Sequence, residues 1–371
     1  MNQSPAFARS IAPSAEVPAQ ASVPGAASAA RGEDMAMIRA AAELTRDLNT
    51  PRASIYWPDM LGSATVGYGA MAVAVMTSSV PLMIAAAIIS VLALYRAGLF
   101  IHEITHMRLS AVPGFWTAWH IVVGVPLLMP SFMYEGIHNI HHMRKRYGTI
   151  EDPEYLPLAL MKPWTLPLFT LVAVLGPLAL LLRYGLLGPL SLFIPPLRRL
   201  LVERYSGLVI NPAWRRKMPE GEARRKWLIT EVAASVWAIT LIAMVATGTL
   251  PLRDFAIMLA IVSGSVVLNQ IRTLVAHLWE NGGEEMSVTQ QYLDSVNVPE
   301  PGILPALWAP VGLRYHALHH LLPGLPYHSL GEAHRRLSKA LGAESSYHKA
   351  SYAGLPGLLA QLFASTLKQG R

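Results

Sequence analysis

The sequence has no cysteine among its 371 residues. Disulfides, cysteine-ligated zinc, iron–sulfur clusters and thiol nucleophiles are therefore excluded. Charge is also scarce, at 14% of residues against 53% hydrophobic. A soluble globular chain carries about a quarter charged residues. The polar residues here are too few to cover a soluble surface of this size, and they are clustered, so a membrane protein is expected. The formal net charge of +7 raises the question of nucleic acid. Its sources are short runs beside apolar stretches, such as Arg144-Lys145-Arg146, Arg198-Arg199 and Arg215-Arg216-Lys217. No basic stripe is interleaved with aromatics, and juxtamembrane cations facing anionic headgroups explain the excess. No nucleic-acid partner is expected.

Residues 1–33 are rich in Ala, Pro and Ser without an apolar run long enough for a signal-peptide core. A disordered tail is expected there, and a short amphipathic helix at the membrane surface over 34–49. Two apolar hairpins follow, Leu61–Ser79 with Leu82–Phe100, and Trp227–Val245 with Phe255–Leu274. Each segment approaches the roughly 20 residues a spanning helix needs. Between them Leu156–Pro196 is apolar but interrupted by Pro163, Pro167, Pro177, Pro189, Pro195 and Pro196. Because proline breaks a helix interior, this stretch reads as an interfacial or re-entrant element, or as a third hairpin. A single crossing would put the histidine groups described next on opposite faces. The expected fold is all-α and integral to the membrane. It has about four spans in two hairpins, interfacial helices, and a cytoplasmic helical cap carrying a histidine-rich di-metal site. The expected domains are the tail and amphipathic helix over 1–50, a catalytic domain over 51–345 and a C-terminal tail over 346–371. The long loops hold most of the basic residues, so both termini and the cap are expected on the cytoplasmic side, with a bacterial inner membrane as the location.

Eight of the 13 histidines fall in three tight groups: His102-Glu-Ile-Thr-His106, His138-Asn-Ile-His141-His142 and His316-Ala-Leu-His319-His320. Helical positions i, i+3 and i+4 share a face, so each group can aim two or three imidazoles at one spot. Chance gives roughly 0.02 HxxHH per such chain, whereas HxxxH arises about once in two or three chains. Burying eight such side chains at the mouths of membrane helices without a common partner is too costly, and neutral imidazole is the commonest metal ligand. The ligand count exceeds what one four-coordinate zinc can use, so two metals fit. Imidazole suits iron, zinc, copper and nickel alike.

The three boxes HxxxH, HxxHH and HxxHH resemble the signature of the membrane fatty acid desaturase family, and the resemblance runs from about Ser54 to Leu341. The flanks Tyr147-Gly148-Thr149, Asp152-Pro153-Glu154-Tyr155, Leu321-Leu322-Pro323 and Pro326-Tyr327-His328 are similar to bacterial members. The resemblance implies a di-iron centre held by His102, His106, His138, His141, His142, His316, His319 and His320. It adds His277 as a ninth ligand, in the segment after the last span. Glu103, Asp152, Asp294 and Asn297 are candidates to orient ligating imidazoles through the second ring nitrogen. His120, His328, His334 and His348 are expected to be non-ligands.

The implied reaction is O2-dependent desaturation of a membrane lipid or acyl-thioester chain. Lacking cysteine and a His-Pro-Gly-Gly haem motif, the chain is expected to draw electrons from an external ferredoxin, rubredoxin or cytochrome b5 type donor. Arg144, Lys145 and Arg146 read as membrane-surface anchors, with a carrier phosphate as the other option. Box three opens on histidine where many front-end desaturases have glutamine, which argues against desaturation near the carboxyl end. A hydroxylase or ketolase of the same superfamily, acting on a lipid, sterol or carotenoid, shares the boxes and is the nearest alternative. An intramembrane zinc metalloprotease using HExxH at 102–106 would leave the other clustered histidines unexplained. A ferritin-like carboxylate bundle, suggested by Glu103–His106 and Glu135–His138, would need two further glutamates on soluble helices.

Overall fold

Backbone groups in a bilayer must find their partners within the chain, and a helix satisfies them all. The computed structural model describes residues 35–369 and folds the apolar stretches accordingly. Five helices are long and apolar enough to cross a membrane: α1 (Ala53–Met76), α2 (Val80–His106), α3 (Thr165–Leu190), α4 (Gly221–Ala246) and α5 (Leu252–Leu274). No strand forms among the described residues, where pairing is limited to isolated bridges such as His277 with Ser295. The expectation of disorder over 1–33 lies outside the described residues.

The first expected hairpin is present as α1–α2, whereas α4 and α5 follow one another through the turn at Gly248 and Pro251 but pack mainly on α3 and α2. Small residues let the first pair approach closely, as membrane helices do when no hydrophobic force drives them together. Ser90 Oγ donates to Gly67 O across the pair at 2.8 Å, and a Cβ at Gly67 would lie 2.6 Å from Leu94. On its other side α2 meets α5, where Ser265 Oγ donates to Val91 O at 3.1 Å beside Gly264. Val66, Val73, Ile84, Ile88, Val232 and Val236 face outward and exposed, an apolar surface that suits lipid and not water.

The proline-rich stretch, expected as an interfacial or re-entrant element or a third hairpin, is helical from Thr165 to Leu190. It forms α3, a continuous run of helical turns 26 residues long. Pro167, Pro177 and Pro189 each fall in the first turn of a helical segment (Thr165–Leu171, Gly176–Leu182, Gly188–Leu190). An N–H has no intrahelical partner in such a turn, so proline removes nothing there. The joints are a 3-10 turn at Val172–Leu175 and a π turn at Arg183–Leu187. Leu166 packs with Leu274 and Trp279, Ser263 Oγ donates to Val174 O at 2.9 Å, and Arg183 reaches Glu231 at 3.0 Å. Thus α3 begins against the histidine end of α5 and finishes against the middle of α4, where Gly185 meets Ala238 and Gly188 meets Ser235.

Short helices build the cap, among them His138–His141, Val288–Asp294, His316–Leu321 and Leu330–Ala340. The helix over 35–44, expected on the membrane surface, instead buries Met37 and Ala41 against Tyr292, Leu337 and Tyr347. The C-terminal helix Leu355–Gln369 packs Leu358 on Val275 and Leu362 on Leu274, supporting the end of α5 from outside.

Candidate metal centre

Two groups of imidazoles form where α2, α5 and the cap meet. His102, His106, His138, His142 and His319 each place one ring nitrogen within 4.8 Å of the others, and so do His141, His277, His316 and His320. The sequence explains the partition. Neighbours on a helix point about 100° apart, whereas i and i+4 nearly coincide. Each HxxHH box therefore splits two and one, and the two boxes split in opposite senses. Box two sends His138 and His142 to the first group and His141 to the second. Box three sends His316 and His320 to the second and His319 to the first. His102 and His106, one turn apart at the end of α2, complete the first group, and His277, just past α5, completes the second.

Hydrogen bonds at the outer nitrogens fix several rings. His138 Nδ1 donates to Glu154 Oε2 at 2.7 Å and lies 2.8 Å from the Tyr134 hydroxyl. His141 Nδ1 donates to Asp152 at 2.9 Å. His277 Nδ1 lies 2.8 Å from Tyr147 Oη and 3.2 Å from Ser295 Oγ, and the Tyr147 hydroxyl donates to Asp294 at 2.7 Å. With Nδ1 so engaged, Nε2 offers its lone pair inward. The inner nitrogens crowd: His138 and His142 Nε2 are 3.0 Å apart, His277 and His316 3.1 Å, and His142 and His319 3.1 Å. Both ring nitrogens of His102, and Nε2 of His106, are buried without a hydrogen-bond partner. Converging lone pairs and orphaned buried nitrogens cost free energy unless a cation receives them. The residues fit a pair of metal ions.

Electrostatics points the same way. Burial, and then the charge of neighbouring imidazoles, push His138, His142, His277, His316, His319 and His320 below the ordinary histidine range, keeping them neutral as ligation requires. His141 differs: burial pushes it down, but Asp152 outweighs that and holds it up. Burial raises Glu154 to about 8 and Asp294 to about 6.

Of the expected orienting residues, Asp152 meets an imidazole directly and Asp294 does so through Tyr147. Glu103 lies 3.5 Å from His102 Nδ1, but its carboxylate is held by the Tyr56 hydroxyl and by Tyr327 N at 3.2 Å. That grip also removes the free general base an HExxH protease requires. Asn297 orients no ring. Its carboxamide oxygen accepts from Leu318 N at 3.1 Å and so braces the backbone of box three. Glu154, Tyr134 and Ser295 went unread as ring partners. A signal existed only for Glu154, two residues beyond Asp152. Another unread feature is Trp279, fully buried with φ of 61°, whose indole donates to Leu274 O at 2.8 Å and closes the end of α5 beside His277. A left-handed bulky residue is uncommon and is kept where the surroundings enforce it.

The remaining histidines stand apart. His120 accepts from Ser131 N at 3.1 Å, His328 from Arg52 N at 3.2 Å, and His334 lies 2.9 Å from the Tyr347 hydroxyl. His348 lies 3.3 Å from Leu341 O. Arg144, Lys145 and Arg146 are exposed beside box two.

The fatty acid desaturase family model matches residues 78–351, which include all three boxes and His277. The chain is also 52% identical over 330 residues to a ceramide hydroxylase of Caulobacter vibrioides (strain NA1000 / CB15N), covering 89% of this chain and 94% of that protein. The chain is an oxidoreductase-type member of the fatty acid desaturase family.

Proposed function

We propose that the protein is an O2-dependent lipid hydroxylase acting on a ceramide, an N-acylated long-chain base, with two iron ions held by the nine clustered histidines. The observation that carries the substrate and the outcome is the 52% identity, across nearly the whole length of both chains, to a protein named for ceramide hydroxylation. Desaturation, the outcome expected from the boxes, stays as the second reading because the matching family model bears that description. Both outcomes use the same boxes, so the histidines do not discriminate between them.

His102, His106, His138, His142 and His319 would hold one ion, and His141, His277, His316 and His320 the other. When bound, the ions supply the O2-activating redox chemistry. The chain's own part is to orient the rings through Asp152, Glu154 and Tyr147, to keep them neutral by burial, and to exclude water. The half-buried His106, His142 and His320 are the nearest approach for electrons from an external donor of ferredoxin, rubredoxin or cytochrome b5 type. For membrane placement we favour four crossings, with α3 turning back: its contacts with α5 lie in the histidine half, and from Gly185 through Gly188 to Arg198 the chain runs back along α4 from Ala238 past Ser235 to Glu231. All nine histidines then share one side, and the basic loops make that side cytoplasmic.

The test is a lipid mass spectrum from a ceramide-producing host expressing this chain, beside His141→Ala/His142→Ala as control. A ceramide gaining one oxygen only with the intact chain is expected. Loss of two hydrogens instead would move the assignment to desaturation.

A further inference from the structure

Arg272 lies in the last turn of α5 and is 9% exposed. An ionisable side chain inside a spanning helix is costly and marks a functional site by default. The other two buried arginines are accounted for among the described residues, since Arg183 reaches Glu231 at 3.0 Å and Arg216 donates to Ser206 O at 2.9 Å and Glu135 O at 2.7 Å. Arg272 has no such partner: among the described residues no carboxylate pairs with it. One guanidinium nitrogen, Nη2, donates to Asn269 Oδ1 at 3.2 Å one turn below, and Nε is buried with no acceptor.

The position is central. His277 follows five residues later in the chain, and Leu268, on the same side of α5, packs into the cluster containing Tyr95, Ile101 and Ile104 of α2. An unpaired guanidinium beside a centre that takes two cations is unfavourable in a low-dielectric interior. Its retention calls for an oxygen acceptor from outside the protein.

We propose that Arg272, with Asn269 beside it, binds a polar oxygen of the lipid substrate on the membrane side of the centre, an amide carbonyl or a hydroxyl. The carbon that is oxidised then lies near the polar end of the lipid and not in the middle of an acyl chain. This rests on the hydroxylase reading and deepens it. A lipid with a bare methylene chain at the centre would leave Arg272 without an acceptor, which is the more costly arrangement.

The test is equilibrium binding of tritiated N-acyl sphinganine, and of an alkane of matching chain length, to the purified metal-loaded protein in detergent. Wild type, Arg272→Met and Arg272→Lys are compared, with the metal content of each. The methionine variant is expected to lose roughly ten- to hundredfold in affinity for the N-acyl sphinganine, the worth of a hydrogen bond to a charged group. Its affinity for the alkane and its metal content stay unchanged, and lysine restores part of the loss. An O-methylated 3-hydroxyl and a reduced amide, tried in turn, identify which oxygen is held. Equal binding of the N-acyl lipid by wild type and Arg272→Met would overturn the proposal. So would loss of both ligands together with metal, which would make Arg272 a support for His277. Tandem mass spectra placing the new oxygen in mid-chain would overturn the positional half. Failure of the hydroxylase reading is seen separately, as a lipid extract with no added oxygen, and leaves the binding comparison decisive for Arg272.

Discussion

Asp152 holds His141 with both carboxylate oxygens, 2.9 and 3.1 Å from Nδ1, while the same oxygens accept from Gly148 N and Glu154 N at 2.8 Å each. The carboxylate is fully buried, so its position is set by the loop and it sets the ring in turn. Asp152→Asn keeps the shape but can present an amide N–H to the imidazole. Partners of this kind are worth about 10- to 100-fold in metal affinity or activity. The expected outcome is a loss of that size in product yield, with metal lost from the second group first. Elemental analysis beside product quantification checks it, and unchanged values of both would refute the role.

His142 and His120 separate ligation from packing. His142→Ala removes a nitrogen from the first group and should lower the bound metal and abolish turnover. His120 accepts from the backbone of Ser131 and touches neither group, so His120→Ala should retain metal while costing about 1–3 kcal/mol for the donor left unsatisfied. Elemental analysis and thermal melting in detergent distinguish the two. Metal loss in the His120 variant would show that the centre extends further than the two groups.

Acid should weaken the metal-free protein. Six imidazoles outside the spans, His138, His142, His277, His316, His319 and His320, are held below the ordinary range. Below about pH 6.5 the unfolded chain takes up protons that the folded chain refuses, so each group subtracts up to about 1.4 kcal/mol per pH unit. His141, held up by Asp152, and Glu154 and Asp294, raised to about 8 and 6, act in the opposite direction. Six outweigh three between pH 5 and 6.5, so Tm should rise across that interval. A flat or falling Tm would mean that the imidazoles are not buried neutral.

Gly67→Val tests the α1–α2 contact. A Cβ there would lie 2.6 Å from Leu94 Cδ2 and 3.1 Å from Leu94 N, and the second of these is backbone that cannot swing aside. Overpacking of this kind costs about 1–3 kcal/mol. A lowered melting temperature in detergent is expected, with product position unchanged where the enzyme remains folded. A neutral effect would mean that the two helices stand further apart.

The nine histidines were legible because the HxxHH boxes are improbable by chance and because helical spacing gives them a shared direction. Their division into five and four was not read, although the 100° step between neighbours contains it. Asp152 was legible as an acid shortly after box two, and Asp294 as an acid between His277 and box three. Asn297 was misplaced because spacing says nothing of whether a carboxamide faces a ring or a backbone N–H, and it faces Leu318 N. The prolines of α3 left its path open because their effect depends on where each helical segment starts, and that start is set by packing against α4 and α5. Arg272 was not legible as a site, since a single sequence does not reveal which arginines find carboxylates.

The interleaving of the two boxes also constrains how the protein is made. The first group needs His319 and the second needs His316 and His320, so neither metal position exists until the ribosome has passed residue 320. By then the α1–α2 hairpin and the α4–α5 pair have both been synthesised, and the early histidines have waited through the making of all five long helices. Metal bound at these groups would therefore enter a nearly complete chain, and a ribosome stalled between boxes two and three would release a product lacking His319 from the first group and His316 and His320 from the second.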